Sequence, residues 1–462
     1  MNKKFFIFII LFLILFFGST NFINAEEEQE KDLSSLEHPI IFIHGLTSDD
    51  LSFADSMEYL DNKYGLGPIY AFDVILNADN NSSYSVLEND VEWNDWHYKD
   101  KFINVGRRNF SRNIDDFRDG WEDDNSKLFA VNFSEDRIRG ASGNFLSYFK
   151  DSNQAAIMKQ GYALRQVIKE VLEFTKKEKV ILVGHSMGGL AIREYLQRTD
   201  DNGNKRWWLH PDQEDGHKVL KVITLGTPHL GSNAGPDTTT EITLNKRKRT
   251  KIPKPHKEGM RDLRYLFNSY PNCPDEDTRG IYLFGGNEKC ISSTQFHYTF
   301  GNVDINCNGR EDDEIIGINY KTSFNPKMPL PINVHYIYVI SDVQMGECSS
   351  CLVTGIKNGV SGDGAVLLDR QWLYNDDKKA EPTGFANVIQ SNMIHSNESG
   401  DYESIIKALK LELGTDDDWS DNVVYEKDNF LGIVLKILNK IKNFFLTALF
   451  AVKNFIDSNL LN

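Results

Sequence analysis

The residues with the clearest chemical potential form a G-x-S-x-G pattern at positions 184–188, centred on Ser186. An apolar run, residues 180–183, precedes the pattern, and a segment with helical spacing, residues 187–198, follows it. A sharp turn between a strand and a helix exposes a serine hydroxyl, and the helix N-terminus stabilises negative charge that develops beside it. We therefore predict that Ser186 is a nucleophile that attacks a carbonyl carbon.

Such a turn needs strands and helices to hold it, and the hydrophobic pattern predicts both. Short apolar runs predict strands at residues 39–43, 128–133, 179–184, 219–225, 333–341 and 388–393. Apolar residues at helical spacing predict helices at residues 52–62, 154–175, 187–198 and 402–413. Because strands alternate with helices, we expect an α/β fold with a mostly parallel central sheet and helices on both faces.

Composition limits the classes of protein that this chain can represent. Of 462 residues, 40% are hydrophobic and 12% aromatic, which is enough for a large core and excludes general disorder. Its 51 Lys and Arg residues and 67 Asp and Glu residues give a net charge of −16. Nucleic-acid phosphates repel such a chain, so no nucleic-acid partner is expected.

Three motifs together resemble the lipase and esterase branch of the α/β-hydrolases, in particular the secreted bacterial triacylglycerol lipases. They are His-Gly-Leu-Thr at 44–47, Gly-His-Ser-Met-Gly-Gly-Leu at 184–190, and Thr-Leu-Gly-Thr-Pro-His-Leu-Gly-Ser at 224–232. The resemblance covers residues 38–64 and 128–232 and, more loosely, 332–413. It implies an α/β-hydrolase fold and a serine hydrolase that acts on carboxylic esters.

The family's order of catalytic residues is serine, acid, histidine. Of the eleven histidines, only His335 and His395 lie beyond residue 297, and His335 falls inside a predicted strand. His395 follows an apolar run and precedes a helix, so we predict that it is the general base. The resemblance also implies an oxyanion hole formed by the backbone N–H groups of Met187 and Leu46.

Two aspartates are candidates for the acid that holds the tautomer of His395. Asp363, in Ser-Gly-Asp-Gly-Ala-Val at 361–366, resembles the D-G-x-V acid loop of many lipases. Asp342 directly follows a predicted strand, where other α/β-hydrolases carry the acid. Asp363 is the first choice and Asp342 the alternative.

A second candidate site lies at residues 304–313. Its oxygen-bearing side chains are Asp304, Asn306, Asn308, Asp312 and Asp313. Oxygen ligands on alternate residues, followed by Gly309, match the start of a calcium loop, although Ile315 stands where an EF-hand has glutamate. The pattern leaves structural calcium and a solvated acidic turn as alternatives. No cofactor is expected for the chemistry itself.

The N-terminus predicts export. Lys3 and Lys4 precede an apolar run at 5–17, and Ala25 precedes three glutamates. This is the pattern of a signal peptide at residues 1–25, with an uncleaved N-terminal anchor as the alternative. The mature protein is expected to be secreted or to reside in the cell envelope or periplasm.

The C-terminal segment, residues 430–462, is apolar except for a cationic polar stripe with three- or four-residue spacing. It predicts an amphipathic helix that follows an acidic linker at 414–429. Binding to a membrane surface is one expectation, and docking on the catalytic domain or self-association are the others. The oligomeric state is left open.

The catalytic domain is predicted to span residues 26–413. Polar composition indicates two insertions, residues 77–127 and 232–330, of which the second is a candidate lid or metal region. All five cysteines lie in or after the second insertion, and their pairing is left open: Cys273, Cys290, Cys307, Cys348 and Cys351.

These observations favour a secreted serine ester hydrolase, a lipase or carboxylesterase, that cleaves lipid acyl esters through a Ser-Asp-His triad and an acyl-enzyme intermediate. The expected partner is a lipid or ester substrate. A phospholipase or a deacylase of a lipid-linked glycan is the alternative. A non-catalytic surface or adhesion protein on the same fold is disfavoured, because the chain offers a candidate for each triad member.

Overall fold

The structure is a computed structural model of the chain. It describes residues 32–76, 106–112, 120–134, 155–199, 203–233, 258–265, 280–284, 286–287, 314–315, 317–319, 328–343, 361–373 and 386–411.

A sheet of eight strands forms the centre of the described fold. Its strands are β1 (Ile40–Ile43), β2 (Ile69–Ile75), β3 (Arg107–Asn109), β4 (Leu128–Ser134), β5 (Val180–His185), β6 (Val219–Leu225), β9 (His335–Ser341) and β10 (Ala386–Ser391). The order across the sheet is β10-β9-β6-β5-β1-β4-β2-β3. All neighbours are parallel except β3, which pairs antiparallel with β2 at the edge. A separate two-stranded sheet joins β7 (Gly286–Asn287) and β8 (Glu314–Ile315).

Helices cover both faces of the large sheet. They are α1 (Ala54–Tyr64), α2 (Ile157–Thr175), α3 (Met187–Gln197), α4 (Glu258–Leu263), α5 (Ile281–Phe284) and α6 (Tyr402–Lys410). In β1, Ile41 and Ile43 pack in a core cluster with α2 and α3, whereas Ile40 and Phe42 pack in a second cluster with α1 and α6. Both faces are therefore buried, which explains why β1 is a continuous apolar run.

The predicted fold class is confirmed, and most predicted strands form within one or two residues of the expected positions. The hydrophobic pattern did not predict β2 or β3. Asp73 interrupts the apolar run of β2, and its buried carboxylate is paired with Arg108 of β3. β3 lies inside the predicted insertion 77–127, so part of that segment extends the sheet.

Part of the predicted insertion 232–330 caps the N-terminal end of α2. Glu258 and Asp262, both in α4, accept the backbone N–H groups of Ala156 and Ile157 at 3.1 and 3.0 Å. The first N–H groups of a helix have no intrahelical acceptor, and carboxylates there also interact favourably with the helix dipole. These contacts hold α4 against the end of α2.

Several predictions fall on residues outside the described ranges and stay predictions. They concern the signal peptide (1–25), the calcium loop (304–313), the linker (414–429), the amphipathic tail (430–462) and the pairing of the five cysteines. None of the described helices combines the length and the apolar character needed to cross a membrane.

Candidate active site

Ser186 stands in a tight turn between β5 and α3. Its backbone has φ 54° and ψ −126°, a conformation that a residue with a side chain adopts only at a cost. The turn is held by a hydrogen bond from the N–H of Ser186 to the carbonyl oxygen of Leu225, at 2.9 Å. A Cβ atom at Gly188 would lie 2.2 Å from the carbonyl oxygen of Ile43, so only glycine allows α3 to start this close to β1.

Three side chains predicted to act together form one chain of hydrogen bonds. The hydroxyl of Ser186 lies 2.9 Å from Nε2 of His395, and Nδ1 of His395 lies 2.9 Å from Oδ2 of Asp363. The other oxygen of Asp363 accepts two backbone N–H groups, from Ala365 and Val366, at 2.8 and 2.7 Å. These two bonds fix the carboxylate so that its free oxygen points at the imidazole.

The backbone of His395 is held on both sides. Its N–H donates to the carbonyl oxygen of Asp363 at 3.0 Å. Its own carbonyl oxygen lies 2.8 Å from Nε2 of His185, the residue before Ser186. His395 is therefore tied to the acid loop and to the serine turn through its backbone as well as its side chain.

Asp342 lies at the base of the loop that carries Asp363. It directly follows β9, and its carboxylate accepts the N–H of Gly362 at 3.2 Å. Among the described contacts, the carboxylate bonded to Nδ1 of His395 is that of Asp363. The geometry therefore favours Asp363 as the acid and assigns Asp342 a contact with the loop backbone.

The two segments expected to supply the oxyanion hole border Ser186. Met187 is the first residue of α3, so its N–H has no intrahelical acceptor. The segment before Leu46 also approaches the serine, since a Cβ at Gly45 would lie 2.7 Å from Cβ of Ser186. His44 shapes this loop: its Nδ1 lies 3.0 Å from the carbonyl oxygen of Gly45, and its Nε2 accepts the N–H of Phe133 at 2.9 Å.

A buried ionic network anchors the segment that follows Leu46. Arg108 donates to Asp50 at 2.8 Å and to Asp73 at 2.6 Å, and Asn132 donates to Asp73 at 2.7 Å. All of these side chains are buried, and removing one partner from such a network typically costs about 3–5 kcal/mol. The edge strand β3 thus contributes to the position of the loop beside Ser186.

Glu398 is a member of the site that sequence reasoning missed. It is fully buried, and its Oε2 lies 3.2 Å from Nδ1 of His395. The sequence signal was present, because a glutamate three residues after a histidine lies on the same side of a helical turn. Residues His395–Gly400 form such a turn, a short 3-10 helix.

The charges around His395 determine its affinity for a proton. Burial disfavours the imidazolium, but the carboxylates of Asp363 and Glu398 outweigh this effect and hold the pKa of His395 above its ordinary value. The two carboxylates therefore stabilise the positive charge that forms on His395 when it accepts a proton.

Within the described ranges, one group of side chains could hold a metal ion. The ligand atoms of His185, His395 and Glu398 all lie within 4.8 Å of one another. Both ring nitrogens of His395 already contact Ser186 and Asp363, so a metal ion would displace one of these hydrogen bonds. The arrangement therefore fits proton transfer better than metal binding.

The close approach of Gly45 to Ser186 leads to a first prediction. In Gly45→Ala, the added methyl group would lie 2.7 Å from Cβ and 3.2 Å from Oγ of Ser186, which displaces the hydroxyl from His395. We expect kcat/KM for a soluble ester to fall about 100-fold, as displacements near 1 Å often cause. Gly400→Ala is the matched control, because no heavy atom lies within 4 Å of its added Cβ. Equal activity in both variants would contradict the prediction.

The strand order and the serine turn between β5 and α3 are those of an α/β-hydrolase fold. The family model of lecithin:cholesterol acyltransferase matches residues 154–247, a minor part of the chain that includes Ser186. A search of curated proteins gives no match.

Solved structures with detectable similarity are distant. A gene product of Listeria innocua is 15% identical, with a TM-score of 0.36, over 82% of this chain and 96% of that one. The mature lipase BlEst2 of Bacillus licheniformis is 15% identical, with a TM-score of 0.29, over 81% and 93%. A pyrethroid hydrolase of Sphingobium faniae is 13% identical, with a TM-score of 0.26, over 80% and 95%. The fold assignment therefore rests on the strand order and the serine turn of this chain.

Proposed function

We propose that this protein is a secreted serine ester hydrolase that cleaves the acyl esters of lipids. The observation that carries the proposal is the continuous hydrogen-bond chain from Ser186 through His395 to Asp363. A serine hydroxyl is a weak nucleophile unless an adjacent base takes its proton, and a carboxylate must hold that base in the correct tautomer. The site has each of these groups within hydrogen-bond distance.

In the proposed reaction, His395 accepts the proton of Ser186 at Nε2 while Oγ attacks the ester carbonyl carbon. The backbone N–H groups of Met187 and Leu46 stabilise the oxyanion. The imidazolium then gives its Nε2 proton to the leaving alcohol, and the ester C–O bond breaks to leave an acyl-enzyme. Water activated by His395 hydrolyses this intermediate and restores Ser186. No metal or organic cofactor takes part.

An apolar cluster beside the serine turn supports an acyl substrate. Met187 and Leu190 of α3 pack there with Ile157 of α2 and with residues of α4 and α5. Leu46 and Phe284 are partly exposed members of this cluster. The exposed apolar surface of Leu46 and Phe284 favours contact with a hydrocarbon chain of the substrate.

A series of p-nitrophenyl esters, from acetate to palmitate, tests this substrate class. We expect kcat/KM to rise with acyl length, because each buried CH₂ group contributes up to about 0.8 kcal/mol, or roughly fourfold. The rise should end where the chain reaches solvent. p-Nitrophenyl phosphate is the control and should not be hydrolysed. A maximum at acetate or butyrate would contradict the lipid proposal and indicate a short-chain esterase.

Phospholipid ester hydrolysis is the second candidate. The match of residues 154–247 to the lecithin:cholesterol acyltransferase family favours it, because the name of that family describes acyl transfer from a phospholipid. Release of fatty acid from phosphatidylcholine vesicles, compared with release from a triacylglycerol emulsion, separates the two candidates. The better substrate identifies the head group that the site accepts.

A further inference from the structure

Two carboxylates converge on one N–H group at this site. Oδ2 of Asp363 lies 2.9 Å from Nδ1 of His395, and Oε2 of Glu398 lies 3.2 Å from the same nitrogen. A triad of the proposed kind needs a single acid. Glu398 is therefore surplus to the minimum arrangement, although it is fully buried next to the reacting groups.

The two carboxyl groups also lie close to each other. A Cβ atom built on Gly226 would lie 1.8 Å from Oε2 of Glu398 and 2.9 Å from Oδ2 of Asp363. No side chain at position 226 could be accommodated, so the two oxygens share one small space. Two buried carboxylates at such a distance repel each other unless a proton or a cation lies with them. The imidazolium form of His395 supplies that cation.

The buried carboxylate of Glu398 depends on the positive charge of His395 more than the carboxylate of Asp363 does. Asp363 accepts two backbone N–H groups, whereas in the described part of the chain neither side-chain oxygen of Glu398 has a hydrogen bond of normal geometry. Nε2 of His185 is 3.6 Å from Oε2 of Glu398, but it lies closer to the carbonyl oxygen of His395, at 2.8 Å. A buried carboxylate without donors is costly, and the charge on His395 offsets that cost.

We propose that Glu398 is a positioning residue that acts through His395, as a second carboxylate charge beside Nδ1. This inference rests on the proposed function. When the Ser186 proton moves to Nε2, the imidazolium gains two carboxylate neighbours instead of one. The Nδ1 proton stays on the ring throughout, so Glu398 changes no bond. When Asp363 is absent, Glu398 still holds the tautomer in which Nε2 is free to accept a proton.

The pH profile of Glu398→Gln tests this role. His395 must be neutral to accept a proton, so activity falls as the pH drops through its pKa. The groups that face its ring are Asp363, Glu398, His185 and Ser186. Removing the negative charge of Glu398 lowers the pKa of His395, so the acid limb of kcat/KM should move to lower pH. We expect kcat to fall about tenfold, equivalent to 1.4 kcal/mol, and KM to stay within about twofold.

Two variants serve as controls for Glu398→Gln. Glu403→Gln removes the same charge at an exposed position in the first turn of α6, and its profile should match that of the unmodified protein. Glu398→Asp keeps the charge on a shorter side chain. The acid limb of its kcat/KM profile should lie between those of Glu398→Gln and the unmodified protein. If Glu398→Gln leaves both kcat and the acid limb unchanged, Glu398 only fills space and the proposal is wrong.

A double-mutant cycle tests the second part of the role. Asp363→Asn should retain activity that Asp363→Asn/Glu398→Gln lacks, so that the combined loss exceeds the product of the separate losses by about tenfold or more. A combined loss equal to or smaller than that product would contradict the idea that Glu398 supports His395 in the absence of Asp363.

A measurement without turnover separates this proposal from the proposed function. Titration of the His395 ring by ¹H–¹⁵N NMR gives its pKa in the intact protein and in Glu398→Gln. A lower pKa in the variant supports the role of Glu398 even if no ester is hydrolysed, in which case only the proposed function fails. An unchanged pKa in folded Glu398→Gln overturns the role of Glu398, whatever the esterase activity.

Discussion

Replacing Ser186 with alanine is expected to reduce kcat for ester hydrolysis by about 10⁵- to 10⁶-fold. The hydroxyl is the atom that would form the acyl-enzyme, and it lies 2.9 Å from the proposed base. Without it, only substrate binding and the backbone N–H groups remain, and these accelerate the reaction with water far less. Initial rates with a soluble p-nitrophenyl ester measure the loss.

The fold should survive this substitution. The strained backbone at position 186, with φ 54°, is held by the hydrogen bond from its N–H to Leu225, which alanine retains. We therefore expect the melting temperature of Ser186→Ala to stay close to that of the unmodified protein. An unchanged rate in a folded variant would refute Ser186 as the nucleophile, and with it the proposed reaction.

Replacing Asp363 with asparagine is expected to lower kcat by about 10³-fold. Loss of the acid from comparable triads costs about 10⁴-fold, because the amide selects the wrong imidazole tautomer. We expect a smaller loss here, since Glu398 remains 3.2 Å from Nδ1 of His395. Steady-state kinetics of the variant give the value directly.

Asp342→Asn is the matched control for this experiment. Asp342 is the alternative acid from the sequence, and it contacts the backbone of Gly362 in the loop that carries Asp363. We expect kcat to remain within about threefold in this variant, because the side-chain oxygen of asparagine can still accept the N–H of Gly362. A large loss in Asp342→Asn together with a small loss in Asp363→Asn would reverse the assignment of the acid.

Much of the fold could be predicted from the sequence because the central strands of a parallel sheet are buried on both faces. Strands β1, β5 and β6 are covered on both faces, so their sequences are almost continuously apolar and can be recognised without any partner. β2 could not be recognised in the same way. Its Asp73 is acceptable in the core only because Arg108, 35 residues further along the chain, pairs with it.

The candidate site could likewise be predicted from the sequence only in part. The position of Ser186 follows from local sequence, since a glycine-flanked serine between a strand and a helix has few other conformations. Ser186 and His395 are 209 residues apart in the sequence, and the contact between their side chains depends on the position of β10 in the sheet. Elimination among the histidines nevertheless led to His395 as the expected base, because the order of residues in the family restricts the choice.

The sequence by itself determined the class of fold, the nucleophile candidate and a short set of partners for it. Only the tertiary structure decided which aspartate contacts His395, and only it revealed that Glu398 contacts the same nitrogen. The reason is physical: hydrophobic period and turn residues act over a few positions, whereas hydrogen bonds in a buried site depend on the path of distant loops. Asp342 and Asp363 both follow β9 in the chain, but the carboxylate within hydrogen-bond distance of Nδ1 of His395 is that of Asp363.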